Sequence, residues 1–347
     1  MSPGSKSLLV VICGIIVLHD LSGLSTCTDI ANCDVNVEAW NGVNDTMVDR
    51  TSSDLADDLE RYKLSLAPVD RQPSSESMIH RQSRRMADHV DNAIIAVSYN
   101  IRMDNPSDNL DNWTNRSDDM VAYLSTLKAD FIGVQEALPN QLSYLTSGLT
   151  SHAALGVGRD DGLRGGEFSA ILYDTSKWVV IQSNTFWLSD TPHLVSKGWD
   201  AACLRVVTYG IFTSTVGDTI VVSNTHLDHV GSEARAKSVE LICGSLETYD
   251  HLPVVIMGDF NFTPDDKNYS VLDSQFDDAF AACAPSNPII GTYNGFGTDE
   301  TATRRIDYVW YSPALSCERY KVDRPKTSAQ RQLSDHYPVI VHLKSPC

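Results

Sequence analysis

At 347 residues the chain could hold two domains by the usual size prior, although single α/β domains of about 250 residues are common. Its formal net charge is −18, with 45 acidic against 27 basic residues. That leaves no cationic surplus for gripping long nucleic acid through its phosphates, although a bound divalent cation could supply positive charge locally.

In chain order, residues 8–18 (LLVVICGIIVL) follow Lys6 and precede small and polar residues around 22–26, the layout of a secretory signal peptide over 1–25. Eleven apolar residues fall short of the ~20 needed to span a bilayer. Residues 26–92 are acidic and polar, and are expected to be largely disordered with a helix near 53–66. The basic cluster Arg81, Arg84 and Arg85 marks a candidate propeptide cleavage point.

From residue 93 the pattern alternates. Strands are expected at 93–102 (AIIAVSYNIR), 131–137 (FIGVQEA), 169–174, 179–188, 205–214, 219–227 (TIVVSNTHL), 253–261 (PVVIMGDFN), 305–312 (RIDYVWYS) and 336–343 (HYPVIVHL). Helices are expected at 118–128, 140–148 and 231–249. Two packed β-sheets flanked by helices, an α/β fold over 93–347, accommodate that content.

Eight cysteines include Cys13 in the leader; the seven others allow disulfides in an oxidising compartment and leave at least one thiol over. No cysteine or histidine spacing suits zinc. Sequons at Asn44, Asn112, Asn115 and Asn268 are glycan acceptors by pattern. A fifth, at Asn261, falls in the candidate site and is expected to stay bare.

Four short strings carry the chemistry: VQE ending at Glu136, NTHLD from Asn224 to Asp228, GDFN from Gly258 to Asn261, and SDH from Ser334 to His336. Each sets carboxylate, amide or imidazole groups beside an apolar run, where open α/β sheets gather their sites. With SYNIR (98–102) and RIDYVWYS they resemble the endonuclease/exonuclease/phosphatase superfamily of divalent-metal phosphoesterases, over 93–347 and in that family's order. SKGWDAACLR (196–205), NTHLDHVG and GTYNGF (291–296) look closest to its carbon catabolite repressor 4-like and nocturnin-like branch.

The resemblance implies a four-layer sandwich and a magnesium-dependent phosphodiester hydrolase, with manganese as a substitute. Glu136 would be the main magnesium ligand, with Asn100 and Asp335 beside it. Asp259 would take the proton of the attacking water and Asn261 would position it; His336, backed by Asp307, and His226 would face the phosphoryl group. Asn224, Arg205, Glu167 and Tyr293 are candidates for substrate contact, and Trp199 and Phe296 for stacking on a base. Arg102 stands where the family's endonucleases often carry an acid, which leaves Asp104 as a supporting acid. The branch implies 3′-to-5′ exonuclease action on RNA. That exonuclease is the first expectation; the alternative, which the acidic charge favours, is a secreted phosphoesterase of small molecules or lipid headgroups, and last comes a catalytically silent binding domain, which would have lost Glu136, Asp259 or His336. No stable membrane insertion and no protein partner is expected.

Overall fold

The computed structural model describes residues 93–285, 291–297 and 302–344, together with the backbone of 7–12 and 15–20. Strands β1 (Ser7–Ile12) and β2 (Ile15–Asp20) pair antiparallel and belong to a unit separate from Arg84–Cys347. The expected helix near 53–66 and the basic cluster lie outside the described residues.

In the second unit, β3 (Ile94–Asn100), β4 (Phe131–Ala137), β5 (His152–Leu155), β6 (Phe168–Asp174), β13 (Ser316–Val322) and β14 (Val339–Lys344) form one sheet, in the order β13-β14-β3-β4-β6-β5. The other sheet runs β11-β12-β10-β9-β8-β7, from β7 (Trp178–Trp187), β8 (Val206–Ser214), β9 (Thr219–His226), β10 (Val254–Asp259), β11 (Asp277–Asp278) and β12 (Asp307–Tyr311). The sheets pack face to face, with β3 and β4 against β9, β10 and β12. Between them lies an apolar layer that includes Phe131, Ile171, Phe212, Val255, Val309 and Val341.

Helices cover the outer faces. Helix α1 (Ser117–Leu127) and α2 (Pro139–Gly148) lay Met120, Leu124 and Leu145 over Val97, Ile132 and Val134. Helix α3 (Ser232–Leu246) buries Val239, Ile242 and Leu246 against Val221, Val254 and Ile256. The central strands are thus apolar on both faces and read as continuous hydrophobic runs. Each of the twelve elements expected from residue 93 onward corresponds to one of these strands or helices, and the resulting four layers are the expected sandwich.

The smaller pieces were not expected: β5, β11, β13, α4 (Lys267–Asp273) and α5 (Ala279–Cys283). Cys283 at the end of α5 is bonded to Cys317 in β13, whereas Cys203 and Cys243 are free thiols. The sequon at Asn268 is corrected: its side chain is buried in α4, with no room for a glycan.

Candidate active site

Strand register assembles the centre. Strand β9 runs parallel to β10 with His226 opposite Asp259, and β12 runs antiparallel to β10 with Asp307 opposite Asp259. One rung across three strands therefore carries imidazole, carboxylate and carboxylate. The facing sheet adds Asn100 at the end of β3 and Glu136 near the end of β4. A bulge between Val134 and Ala137 breaks the β4–β6 ladder there, and Glu136 adopts a left-handed backbone, φ 60°. Bulges turn a side chain away from the regular alternation, which here brings Glu136 to the site. Arg102 (φ 57°) and Asn261 (φ 54°) share that conformation. Such backbone costs on the order of 1–3 kcal/mol per residue and is held by its surroundings.

Asn100, fully buried, joins the two sheets at this point. Its Nδ2 donates to Glu136 Oε1 at 3.0 Å and to Asp259 Oδ2 at 3.1 Å, and its Oδ1 accepts the Arg102 amide. Asp259 Oδ1 accepts the Asn261 N–H at 3.0 Å, and Asn261 Nδ2 donates to the Leu227 carbonyl. Two imidazoles approach Asp259 Oδ2, with His226 Nε2 at 3.5 Å and His336 Nε2 at 3.7 Å. His336 Nδ1 is 2.9 Å from Asp307 Oδ2, and that carboxylate's other oxygen is buried without a partner.

The two imidazoles titrate in opposite directions. Burial would lower both. At His336 the Asp307 and Asp259 carboxylates outweigh burial and hold the ring charged well above the usual histidine range. At His226 burial is reinforced by Arg205 and Arg159, and the ring stays neutral. Asp259 is raised by burial and by Asp307, against the pull of His336. Asp335, 7% exposed, is raised by burial and by Glu136, against His336 and the two arginines Arg102 and Arg116.

Buried carboxylates that crowd one another in this way are the environment that a divalent cation relieves, and hard carboxylate oxygens suit one. Glu136 and Asp335, with Asn100, fit that role; Asp259, Asp307 and His336 also bring ligand atoms within 4.8 Å of one another. A second cluster, Cys203, Asp228 and His229, fits an ion poorly. Asp228 already accepts the backbone N–H groups of Ala202, Cys203, Val230 and Gly231 and faces Arg205 Nε at 3.3 Å.

The centre opens into a cavity of about 430 Å³ lined by Glu136, Glu167, Arg205, His226, Asp259, Asn261, Tyr293, Asp335 and His336. Tyr293 is partly exposed and sets its ring edge-on to His336, centroids 5.1 Å apart. Of the expected residues, Asn100 and Asp307 sit behind this surface.

Asn224 is corrected. Its Nδ2 donates to the Val134 and Ala170 carbonyls at 2.9 and 2.8 Å, and its Oδ1 accepts Gln135 Nε2 at 2.7 Å. With its hydrogen-bonding groups spent between the sheets, it ties them together and does not line the cavity. A Cβ on Gly133 would lie 2.7 Å from its Oδ1, which is why that position has no side chain. Trp199 and Phe296 are likewise absent from the cavity wall, and Asp104 turns to Asn140.

Arg102, Arg159 and His229 complete the lining together with Met103, Cys203, Arg304 and Ile306, which the sequence did not mark. Arg102 is clamped by Asp108 at 2.9 and 3.0 Å and comes within 3.7 Å of Glu136 and 3.9 Å of Asp335. Arg159 lies in the charged, Gly-rich segment 158–174, whose composition suits a loop over the site, and both its terminal nitrogens donate hydrogen bonds to Glu167 at 2.7 Å.

The sequence profile of the Endonuclease/Exonuclease/phosphatase family matches residues 97–336, and the chain belongs to that family. Among solved structures, a family member from Bacteroides vulgatus is 33% identical with TM-score 0.70, covering 74% of this chain and 100% of its own. The mannosyl-6-phosphatase Bt3783 of Bacteroides thetaiotaomicron is 33% identical with TM-score 0.67, covering 72% of this chain and 99% of its own. The human nocturnin catalytic domain, 17% identical with TM-score 0.58 over 75% of this chain and 97% of its own, shares the fold. A comparison with curated proteins finds none that matches. The family makes the chain a phosphoesterase, a hydrolase that acts with a divalent metal.

Proposed function

We propose that this phosphoesterase is a magnesium-dependent hydrolase of small phosphate monoesters. The observation that carries the reading is the cavity: at about 430 Å³ it falls within the ~300–1,000 Å³ of small-molecule sites, and both imidazoles and the raised carboxylates converge on it. The acidic net charge and the likeness to a mannosyl-6-phosphatase at 33% identity support it.

In this reading Glu136 and Asp335, with Asn100 beside them, would hold the ion, which would supply positive charge against the phosphoryl oxygens. Asp259, whose proton affinity is raised, accepts the proton of the attacking water. Asn261 fixes Asp259 through its backbone N–H, and charged His336 stabilises negative charge developing on the phosphoryl group. Neutral His226 offers a hydrogen bond from the opposite side.

The test is hydrolysis by the purified protein of sugar phosphates, phenyl phosphate, sphingomyelin and single-stranded RNA, with and without a chelator. Turnover of monoesters that stops on chelation and returns with magnesium or manganese supports the proposal. Stepwise shortening of RNA from its 3′ end, with the monoesters untouched, would restore the exonuclease expectation and overturn it. Secretion belongs to the same proposal: the leader pattern and the Cys283–Cys317 bond support an oxidising compartment, and recovery of the protein only in the cytosol would refute it.

A further inference from the structure

On the His226 side of the cavity, two guanidinium groups carry N–H groups that nothing accepts. Arg205 is 5% exposed; its Nε lies 3.3 Å from Asp228 Oδ2 and its Nη2 3.0 Å from His229 Nδ1, while Nη1 is buried without an acceptor. Arg159 spends both terminal nitrogens on Glu167, and its Nε, 3.7 Å from Asp160 Oδ1, is buried without a hydrogen bond. His226 Nδ1, 3.9 Å from Glu167 Oε2, is a third buried atom without a partner. Buried polar groups are normally satisfied, so unpaired atoms on three side chains that line the cavity point to an occupant.

The fold holds these groups in place rather than leaving them to search. The Arg159 N–H donates to the Glu167 carbonyl at 3.1 Å, and Trp187 Nε1 donates to the Arg159 carbonyl at 2.7 Å. The loop between them closes so tightly that a Cβ on Gly158 would meet the Gly165 carbonyl oxygen at 2.2 Å. Arg205 sits at the mouth of β8, fixed by an Asp228 that is itself held by four backbone N–H groups. Donors pre-set in this way lose little freedom when a ligand arrives.

Charge decides what the occupant is. Each guanidinium already faces a carboxylate, Arg159 with Glu167 and Arg205 with Asp228, and Asp160 adds further negative charge. A second phosphate here would meet cations already neutralised and acids close by. A hydroxyl brings lone pairs for the free N–H groups and no charge, and its own proton can go to Glu167 or to the unpaired nitrogen of His226.

Resting on the monoesterase reading above, we propose that Arg159, Glu167 and Arg205 form a subsite for hydroxyl groups on the non-reacting part of the substrate. The enzyme then selects the phosphate ester of a polyol such as a sugar over that of an apolar alcohol. A site built to hydrogen-bond a substrate hydroxyl discriminates strongly against an analogue lacking it, because its polar groups are then left unpaired.

The test compares kcat/KM for mannose 6-phosphate and for phenyl phosphate in the full-length wild type and in Arg159→Met, Arg205→Met and Glu167→Gln. The ratio of the two substrates on one preparation is independent of how much of it is folded. We expect the wild type to favour the sugar phosphate by about tenfold or more, and Arg159→Met to cut that ratio about tenfold. Arg205→Met leaves Asp228 buried without its cation, so the decision rests on Arg159→Met and on Glu167→Gln, which keeps the side chain's shape. An unchanged ratio in both, or an equal fall on both substrates, overturns the subsite. A wild type that hydrolyses the two esters equally well leaves the monoesterase reading standing and removes the subsite alone; a wild type that hydrolyses neither removes both.

Discussion

The two flanks of Asp259 carry the same side chain and do opposite things with it. On one flank His336 is backed by the Asp307 carboxylate at 2.9 Å and stays protonated. On the other, His226 is buried near Arg205 and Arg159 and stays neutral. Desolvation acts on both rings in the same sense, so the sign of the charge behind each ring decides the difference. One carboxylate thus faces a cation and a neutral hydrogen-bonding ring, an asymmetry that the proposed monoesterase would use to hold a negatively charged phosphoryl group and a neutral alcohol side by side.

Removing the shared carboxylate should have the largest effect. Asp259→Ala deletes the proton acceptor between the two rings, and turnover should fall by several orders of magnitude while the fold persists. Steady-state kinetics alongside a circular dichroism melt checks both halves of that statement. Near-normal turnover in a folded variant would remove Asp259 from the chemistry and leave the two flanks without a common purpose.

A smaller and more specific loss is expected when the flanks are made alike. Asp307→Asn keeps a hydrogen-bonding group beside His336 Nδ1 but withdraws the negative charge. The ring then loses its proton at lower pH, so the decline of activity on the alkaline side should move to lower pH. At neutral pH kcat should fall about 10- to 100-fold, as for other groups that orient a catalytic ligand. A pH–rate profile with magnesium present decides: an unmoved alkaline limb would mean that Asp307 does not hold the charge of His336.

Much of this arrangement was legible in the sequence because it follows from strand ends. His226, Asp259 and Asp307 each adjoin an apolar run, and three buried strands in register bring them to one rung. Asn224 carried the same local signal and misled. Lying two residues before His226, it points to the same side of β9 but sits deeper, where Val134, Gln135 and Ala170 of the facing sheet close over it. Depth along a strand is a property of the partner sheet, which adjacency in sequence cannot report. The inward turn of Glu136 depends on a bulge and a left-handed backbone, and the Arg159 subsite on a loop closed by glycines. None of these leaves a periodic trace. The missed strand β13 is an edge strand with mostly exposed polar residues, so no apolar run announced it.

The last prediction concerns what keeps the neutral flank in place. Asp228 is buried, which by itself would raise its proton affinity, yet the N–H groups of Gly231, Ala202, Val230 and Cys203 together hold it below the usual carboxylate range. An acid held lower in the folded state than its unfolded value of about 3.9 stabilises the fold. That contribution is fully present above the unfolded value and disappears as pH falls from about 4 through the folded-state value. Asp228→Asn replaces an acceptor oxygen by an NH₂ facing N–H donors, so it should cost about 1–3 kcal/mol at pH 7. Because the wild type alone loses this contribution in acid, the gap in Tm between the two proteins should be widest near neutrality and narrow as pH is lowered toward 3. A gap that stays constant with pH would show that Asp228 holds Arg205 through shape alone, and the hydroxyl subsite would then tolerate a neutral residue at its base.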